Sequence, residues 1–429
     1  MTLGGNVKLT GRKALVGEIR PPGDKSISHR SIILSMLASG RSEIFGISRG
    51  QDVLAGIEIA RQLGADVTDH GSRISIEAHG LNEPSSVLNV GNSGTLMRLL
   101  TGVLAPRDGL FVLNGDESVN SRPMGRVLGP LKEMGATITG RQSNTLAPVS
   151  IVGSRLHGGD FSNLPPSAQV KSAILFAGLR ADSPTTVTEA VPTRPHTEEM
   201  LLEAGAGITI VPGPNGVKVT VTPTAVIQSK TWRVQGDTSQ AAFWVVGGLL
   251  AYGSELLVKD VLVHPTRSGF IEVLNRMGAK VELHPLGPRS SDISMRFSQL
   301  TATSIGGEEV ASMIDEIPVL AIAAARAEGT TVIRNAAELR LKETDRISTT
   351  CEMLRNFGVV VEEFDDGMAI TGSDRPFLPA TIQSHGDHRI AMSAAIGSLL
   401  VDGETEIIGS DCVSTSYPSF FTKLGLLTV

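Results

Sequence analysis

The chain has 429 residues, of which 41% are hydrophobic, 19% charged and 4% aromatic, with a formal net charge of −6. The acidic balance provides no basic field for nucleic acid and the few aromatic residues provide no stacking platform, so nucleic acid is not an expected partner. Two cysteines, Cys351 and Cys412, exclude a disulfide framework or a cysteine zinc site and suit a reducing cytosol, and the length predicts two domains rather than one core.

The opening Met1-Thr2-Leu3-Gly4-Gly5-Asn6 has no apolar signal core, and no apolar run approaches the roughly 18 residues of a membrane span, so a cytoplasmic protein without a membrane partner is expected. One unit then recurs along the chain. Pro21-Pro22-Gly23-Asp24-Lys25-Ser26-Ile27-Ser28-His29-Arg30 leads into a buried helix beginning near Ser26, and an amphipathic helix follows, ending at Leu63-Gly64-Ala65. Gly91-Asn92-Ser93-Gly94-Thr95-Leu96-Met97-Arg98 opens the second buried helix near Ser93. Arg122-Pro123 then opens the helix that ends at Met134-Gly135-Ala136. Ser167-Ala168-Gln169-Val170-Lys171 opens the third, with the apolar body Ala173-Ile174-Leu175-Phe176-Ala177. Thr193-Arg194-Pro195-His196-Thr197 opens its partner, which closes at Ala204-Gly205-Ala206.

A fourth buried helix begins near Thr238 and contains the run Phe243 to Ala251; its partner ends at Met277-Gly278-Ala279. The fifth begins near Asp315, and the charged run Arg340-Leu341-Lys342-Glu343-Thr344-Asp345-Arg346 opens its partner, ending at Phe357-Gly358-Val359. The sixth begins near Asp387 in Gly386-Asp387-His388-Arg389, and the last partner ends at Leu424-Gly425-Leu426. Each glycine is read as a left-handed helix cap, followed in most copies by a strand. One such glycine is ordinary in an α/β protein; six at near-constant spacing are a repeat, and six units divide naturally into two domains of three.

Polar residues gather where these helices begin. Lys25, Arg30, Arg98, Arg122, Arg194, Lys342, Arg346 and Arg389 all stand at or beside predicted helix starts, as do the carboxylates Asp315 and Glu343. Any one of them alone reads as a solvated loop or a salt-bridged helix face. Together, in an acidic protein, they form an outfit for small polyanions, because helix N-termini favour negative charge and the carboxylates place an acid and a base among the cations. His388 has no second histidine at ligand spacing, and no P-loop or dinucleotide fingerprint is present, so neither metal nor cofactor is expected.

These motifs resemble those of the 5-enolpyruvylshikimate-3-phosphate synthases along nearly the whole chain. Gly23 to Arg30 is similar to the family's amino-terminal signature, which implies Lys25 at both substrates and Ser26 and Arg30 at shikimate 3-phosphate. Asn92 to Arg98 resembles the second signature and implies Gly94 and Arg122 at phosphoenolpyruvate. Ser167 and Gln169 match ligands of the shikimate phosphate and hydroxyls, with Gln169 also at phosphoenolpyruvate. Ala168 stands where many members carry a second serine; that motif and Thr193-Arg194-Pro195-His196 resemble the family's second class, in which the arginine contacts the shikimate ligand.

Leu341 to Arg346 is the most specific match. It implies Lys342 at shikimate 3-phosphate, Glu343 in proton transfer and Arg346 at phosphoenolpyruvate, while Asp315 matches the proton acceptor beside the shikimate ligand and Arg389 a further phosphoenolpyruvate arginine. Glu338 and Thr415 depart from the asparagine and lysine common at their places and are not assigned.

The resemblance further implies an α/β fold of two domains, each with three βαβαββ repeats around inner buried helices. Residues 1–21 with 237–429 would form one domain and 22–236 the other, with the active site in the cleft between them. It implies a monomer acting on phosphoenolpyruvate and shikimate 3-phosphate by addition and elimination, catalysed by Asp315, Glu343 and Lys25, and sensitive to glyphosate because Gly94 is retained. The same transfer onto a UDP-amino sugar is disfavoured, since no cysteine stands in Asp116-Glu117-Ser118-Val119-Asn120-Ser121. An RNA-end-processing role on related repeats is disfavoured by the acidic, aromatic-poor composition.

Overall fold

The structure is a computed structural model that describes residues 5–214 and 216–429; Met1 to Gly4, where no signal core is expected, lie outside the described residues. The chain divides into two compact units, Met1–Pro22 with Gln235–Val429 and Gly23–Val234. The crossings fall at Pro22/Gly23 and Val234/Gln235, where the sequence places them at 21/22 and 236/237. Each unit has its own apolar core, one running from Val7 to Leu427 through the outer segments and one from Ile32 to Val234.

Within the 23–234 unit the inner helices are Lys25–Leu37, Gly94–Leu104 and Ala168–Gly178, and the outer ones Gln51–Gln62, Gly125–Glu133 and His196–Glu203. Each pair belongs to a four-element sheet pattern. A short lead strand runs parallel to the strand after the inner helix, as Leu88–Asn89 does to Leu110–Asn114, and an antiparallel hairpin completes the sheet. The first repeat takes its lead strands from the far end of the unit: Ile227–Gln228 and Thr231–Arg233 both lie parallel to Ala38–Phe45.

The other unit repeats the plan with inner helices Thr238–Leu250, Ile317–Ala324 and His388–Ser398 and outer helices Gly269–Arg276, Arg346–Asn356 and Phe420–Leu427. Val16–Ile19 supplies the parallel lead strand for Glu255–Leu262. The sixth repeat has no hairpin of its own, and Val7–Thr10 lies antiparallel to Glu404–Ile408 in its place.

The inner helices are apolar nearly all round and every residue of the last three is buried. A helix with no solvated face satisfies its backbone internally except at its ends, so its start needs a cap. Asp24, Ser93, Ser167, Asp237 and Asp387 provide it, each side chain accepting from a backbone N–H of the first turn. The fifth begins near Asp315 as read, but Ile317–Ala324 follows Glu316 with no side-chain cap bond. Gly102 shows how closely inner helices approach, since a Cβ there would lie 2.1 Å from the Ala173 carbonyl oxygen. No described helix is long and apolar enough to cross a membrane.

Buried polar residues also join the inner helices. The His29 ring lies 2.9 Å from the Ser93 hydroxyl, tying the first inner helix to the cap of the second, and its Nδ1 has no hydrogen-bond partner. Burial, with Lys25 and Arg30 nearby, lowers its pKa to about 3, so the ring is neutral.

Gly64, Gly135, Gly205, Gly278 and Gly358 follow their outer helices with positive φ, as expected of caps. Gly425 corrects the sequence reading. It lies inside Phe420–Leu427 without a left-handed conformation, because no hairpin follows and the helix has no turn to make. Gly425→Ala should therefore raise stability by roughly 0.5–1 kcal/mol. Gly135→Ala, at φ +95, should lower it by about 1–2 kcal/mol. Urea denaturation of both variants checks this, and a loss at Gly425 would restore the cap.

The His29 shift also fixes a pH dependence. The folded ring resists a proton that the unfolded ring accepts below its ordinary pKa of 6.5, so stability is full above that value and falls as pH drops towards about 3. Between about pH 7.5 and pH 5 the wild type should lose about 2 kcal/mol more than His29→Gln. Parallel denaturation curves across that range would overturn the buried neutral ring.

Candidate active site

In the 23–234 unit the starts of the three inner helices are tied to one another by side chains. His29 joins the first to the second, as above. Arg30 joins the first to the third: its Nε donates to Thr197 Oγ1 at 2.6 Å, Nη2 to Ser172 Oγ at 2.9 Å and Nη1 to the Ser26 carbonyl at 3.1 Å. Arg98 joins the second to the third by donating to Gln169 Oε1, while the Gln169 amide donates to Thr95 Oγ1 at 2.8 Å. Three helix N-termini thus converge, and their unpaired N–H groups and dipoles favour an anion.

Lys25 opens the first helix with its ammonium 2.8 Å from the buried carboxylate of Asp52, whose other oxygen has no hydrogen-bond partner. Gly94 opens the second with the Arg122 guanidinium beside it; a Cβ on Gly94 would lie 3.1 Å from Arg122 Nη1. Arg122 itself does not open a helix, as the sequence expects. It closes the short helix Glu117–Ser121 and donates to Ser118 Oγ at 3.0 Å, and the outer helix begins at Gly125. Ser167 caps the third inner helix and Ala168 is its first residue. Arg194 is half-buried in the loop before His196–Glu203.

In the other unit the sequence-predicted residues gather round one guanidinium. Arg346 is 1% exposed. Its Nε donates to Asp387 Oδ2 at 2.8 Å, Nη1 to Asp315 Oδ1 at 3.3 Å and Nη2 to Glu343 Oε2 at 2.5 Å. Lys342 Nζ stands 3.5 Å from the same Asp315 oxygen, and Arg389 Nη1 donates to the Asp315 carbonyl at 2.9 Å.

Burial works against the Arg346 charge, but Asp387, Glu343 and Asp315 overcome it and hold its pKa above the ordinary arginine value. Burial likewise works against the Asp387 carboxylate, and the guanidinium prevails and holds its pKa down. Asp315 and Glu343 keep 18% and 14% of their side chains exposed, so the two carboxylates suited to proton transfer reach water while the cation that orders them does not.

Sequence reasoning missed Asp52 and the anchoring role of Asp387. Asp387 was visible only as a helix start, and nothing local to either residue names its partner. Within the charged run Arg340 holds Asp345 and Arg346 holds Glu343. Glu338 lies in a short 3-10 helix and Thr415 at the end of another. Among the described residues, no group of three or more His, Cys, Asp or Glu is arranged to hold a metal ion.

Comparison with known proteins matches residues 9–424 to the family model of EPSP synthase (3-phosphoshikimate 1-carboxyvinyltransferase). The 3-phosphoshikimate 1-carboxyvinyltransferase of Citrifermentans bemidjiense is 46% identical over 96% of each chain, and that of Synechococcus sp. strain RCC307 is 43% identical over 99% of each. The EPSP synthase structure from Acinetobacter baumannii superposes with a TM-score of 0.86 at 38% identity over 98% of each chain. The enolpyruvyl transferase NikO from Streptomyces tendae, at 19% identity and a TM-score of 0.79 over 99% of this chain and 98% of its own, shares the fold. The chain belongs to the EPSP synthase (3-phosphoshikimate 1-carboxyvinyltransferase) family.

Proposed function

We infer that this chain transfers the enolpyruvyl group of phosphoenolpyruvate to the 5-hydroxyl of shikimate 3-phosphate and releases phosphate, as its relatives' names describe. The observation that carries the reading is the pair of water-reaching carboxylates, Asp315 and Glu343, ordered on the buried Arg346 guanidinium. A transfer of this kind needs a base for a hydroxyl proton and an acid for a carbon, close together and among cations that hold two anions.

The 5-hydroxyl oxygen attacks C2 of phosphoenolpyruvate while C3 takes a proton, giving a tetrahedral intermediate. C3 then loses a proton, the C2–O bond to phosphorus breaks and phosphate leaves. Asp315 accepts the hydroxyl proton, and Glu343 with Lys25 delivers and removes the proton at C3. Lys25, Ser26, Arg30, Ser167, Ala168, Gln169, Arg194 and Lys342 serve shikimate 3-phosphate; Lys25, Gly94, Arg122, Gln169, Arg346 and Arg389 serve phosphoenolpyruvate. Arg346 has a second duty here, because its three nitrogens already order three carboxylates.

The proposed setting is a cytosolic monomer without metal. Its two cysteines are free thiols that burial pushes up to about 11 at Cys351 and about 12 at Cys412, which keeps them protonated and unreactive.

Phosphate release should require both substrates and survive EDTA. Asp315→Ala and Glu343→Ala should each lower kcat by about 10²–10⁴-fold. Release without shikimate 3-phosphate would overturn the reaction, and a change under about threefold would remove that carboxylate from it.

Gly94 sets a second test. Glyphosate should compete with phosphoenolpyruvate in the wild type. In Gly94→Ala the new methyl meets the Arg122 guanidinium and displaces it by a few tenths of an ångström, with no slack in a packed site. The inhibition constant for glyphosate should rise more than the KM for phosphoenolpyruvate, and a variant inhibited as well as the wild type would overturn the steric account.

A further inference from the structure

Lys171 is the fourth residue of the helix Ala168–Gly178 and only 2% of its side chain is exposed. Its ammonium lies 2.6 Å from Glu189 Oε2 and 2.5 Å from Glu198 Oε1, both carboxylates buried as well. An ammonium held by two buried carboxylates costs desolvation of three charges, and apolar side chains of the same volume often stabilise a core equally well or better. Packing alone therefore does not account for it.

What the three residues join is more telling. Glu189 ends the strand Thr185–Glu189 and Glu198 lies in the first turn of His196–Glu203. The loop between them, residues 190–195, contains Arg194. Lys171 belongs to the helix that Ser167 caps and that has Gln169 in its first turn. One ammonium thus grips both ends of the Arg194 loop and pins them to the helix start that presents Ser167 and Gln169.

Glu189 tightens the grip by accepting from the Thr193 hydroxyl and, at 3.4 Å, from the Thr193 backbone N–H next to Arg194. One residue after Lys171 and one before Glu198, the hydroxyls of Ser172 and Thr197 meet at 2.6 Å, both accepting from Arg30, and repeat the tie. A cavity of about 70 Å³ lined by Pro166, Ser167, Lys171, Glu189, Ala190 and Val191 borders the tie, so packing there is incomplete. Burial pushes the Glu198 carboxyl up against the pull of Lys171, as expected of a closed site.

We propose that Lys171, Glu189 and Glu198 are positioning residues for shikimate 3-phosphate, holding the Arg194 loop in register with Ser167 and Gln169 without touching the ligand. The inference rests on the function proposed above.

The test is Glu189→Gln, which leaves Lys171 and Glu198 as a balanced buried pair, with Glu198→Gln as a second variant that leaves Lys171 paired with Glu189. Each should raise the KM for shikimate 3-phosphate about tenfold, with kcat and the KM for phosphoenolpyruvate within about twofold. On an Arg194→Ala background Glu189→Gln should add little, since the tie acts through that arginine. Equal rises in both KM values, or full additivity with Arg194→Ala, would overturn the proposal.

Amide hydrogen exchange separates the two readings. Exchange in residues 190–195 should quicken about tenfold in Glu189→Gln whatever acceptor the enzyme uses. A loosened loop in a protein whose wild type does not bind shikimate 3-phosphate would count against the assigned reaction and therefore against positioning for that ligand. An unchanged loop would count against the tie alone.

Discussion

The constraint on which the rest depends is that a helix buried on every side has unsatisfied backbone groups only at its two ends. Its start must be met by polar side chains, and that is where the chain places Asp24, Ser93, Ser167, Asp237 and Asp387. Once several such starts meet, N–H groups, dipoles and short hydroxyl or carboxylate side chains accumulate at one end of the helices, and the same demand that closes the core yields an anion site. In the 23–234 unit the ties His29–Ser93, Arg30–Ser172 and Arg98–Gln169 make the meeting explicit. The last two ties also fix residues of the candidate site, Arg30 and Gln169.

The two units use opposite electrostatic designs. In one, cations surround helix starts whose caps are mostly hydroxyls, and Asp52 is the carboxylate that faces Lys25. In the other, Asp315, Glu343 and Asp387 converge on Arg346. The first design suits anions; the second sets carboxylates beside a buried cation, an arrangement suited to proton transfer. Of the second cluster only Asp387 caps an inner helix, while Arg346 begins an outer one, so the chemistry comes from the starts of both kinds of helix.

Much of this was legible in the sequence, for a local reason. A cap residue before an apolar run is a short-range pattern, so Ser93, Ser167 and Asp387 fall at helix starts as read. Gly425 fails because Leu-Gly-Leu reads alike whether it closes a helix or lies inside one, and here it lies inside Phe420–Leu427. Asp315 stands beside a helix start as read, but its side chain turns to Lys342 and Arg346, a choice decided by residues 27 and 31 positions away. Asp52 with Lys25 and Asp387 with Arg346 were illegible for the same reason: the partner lies in another repeat element, and no periodicity within either segment encodes it.

The buried charges show why such long-range pairs persist. Removing either partner of Arg346–Asp387 would strand a charge where water cannot reach, while removing both would take away the guanidinium that Glu343 and Asp315 share. The pair therefore cannot be simplified without dissolving the arrangement of carboxylates above it. Lys171 with Glu189 and Glu198 obeys the same logic in the other unit, where the dependent feature is a loop. In both places a costly buried cation orders groups that must keep a single geometry, and that order offsets the free energy lost to desolvation. A core of six apolar helices could fold without either cluster. What it would lack is a fixed relation between one helix start and the next, and that relation is the property on which the assigned chemistry rests.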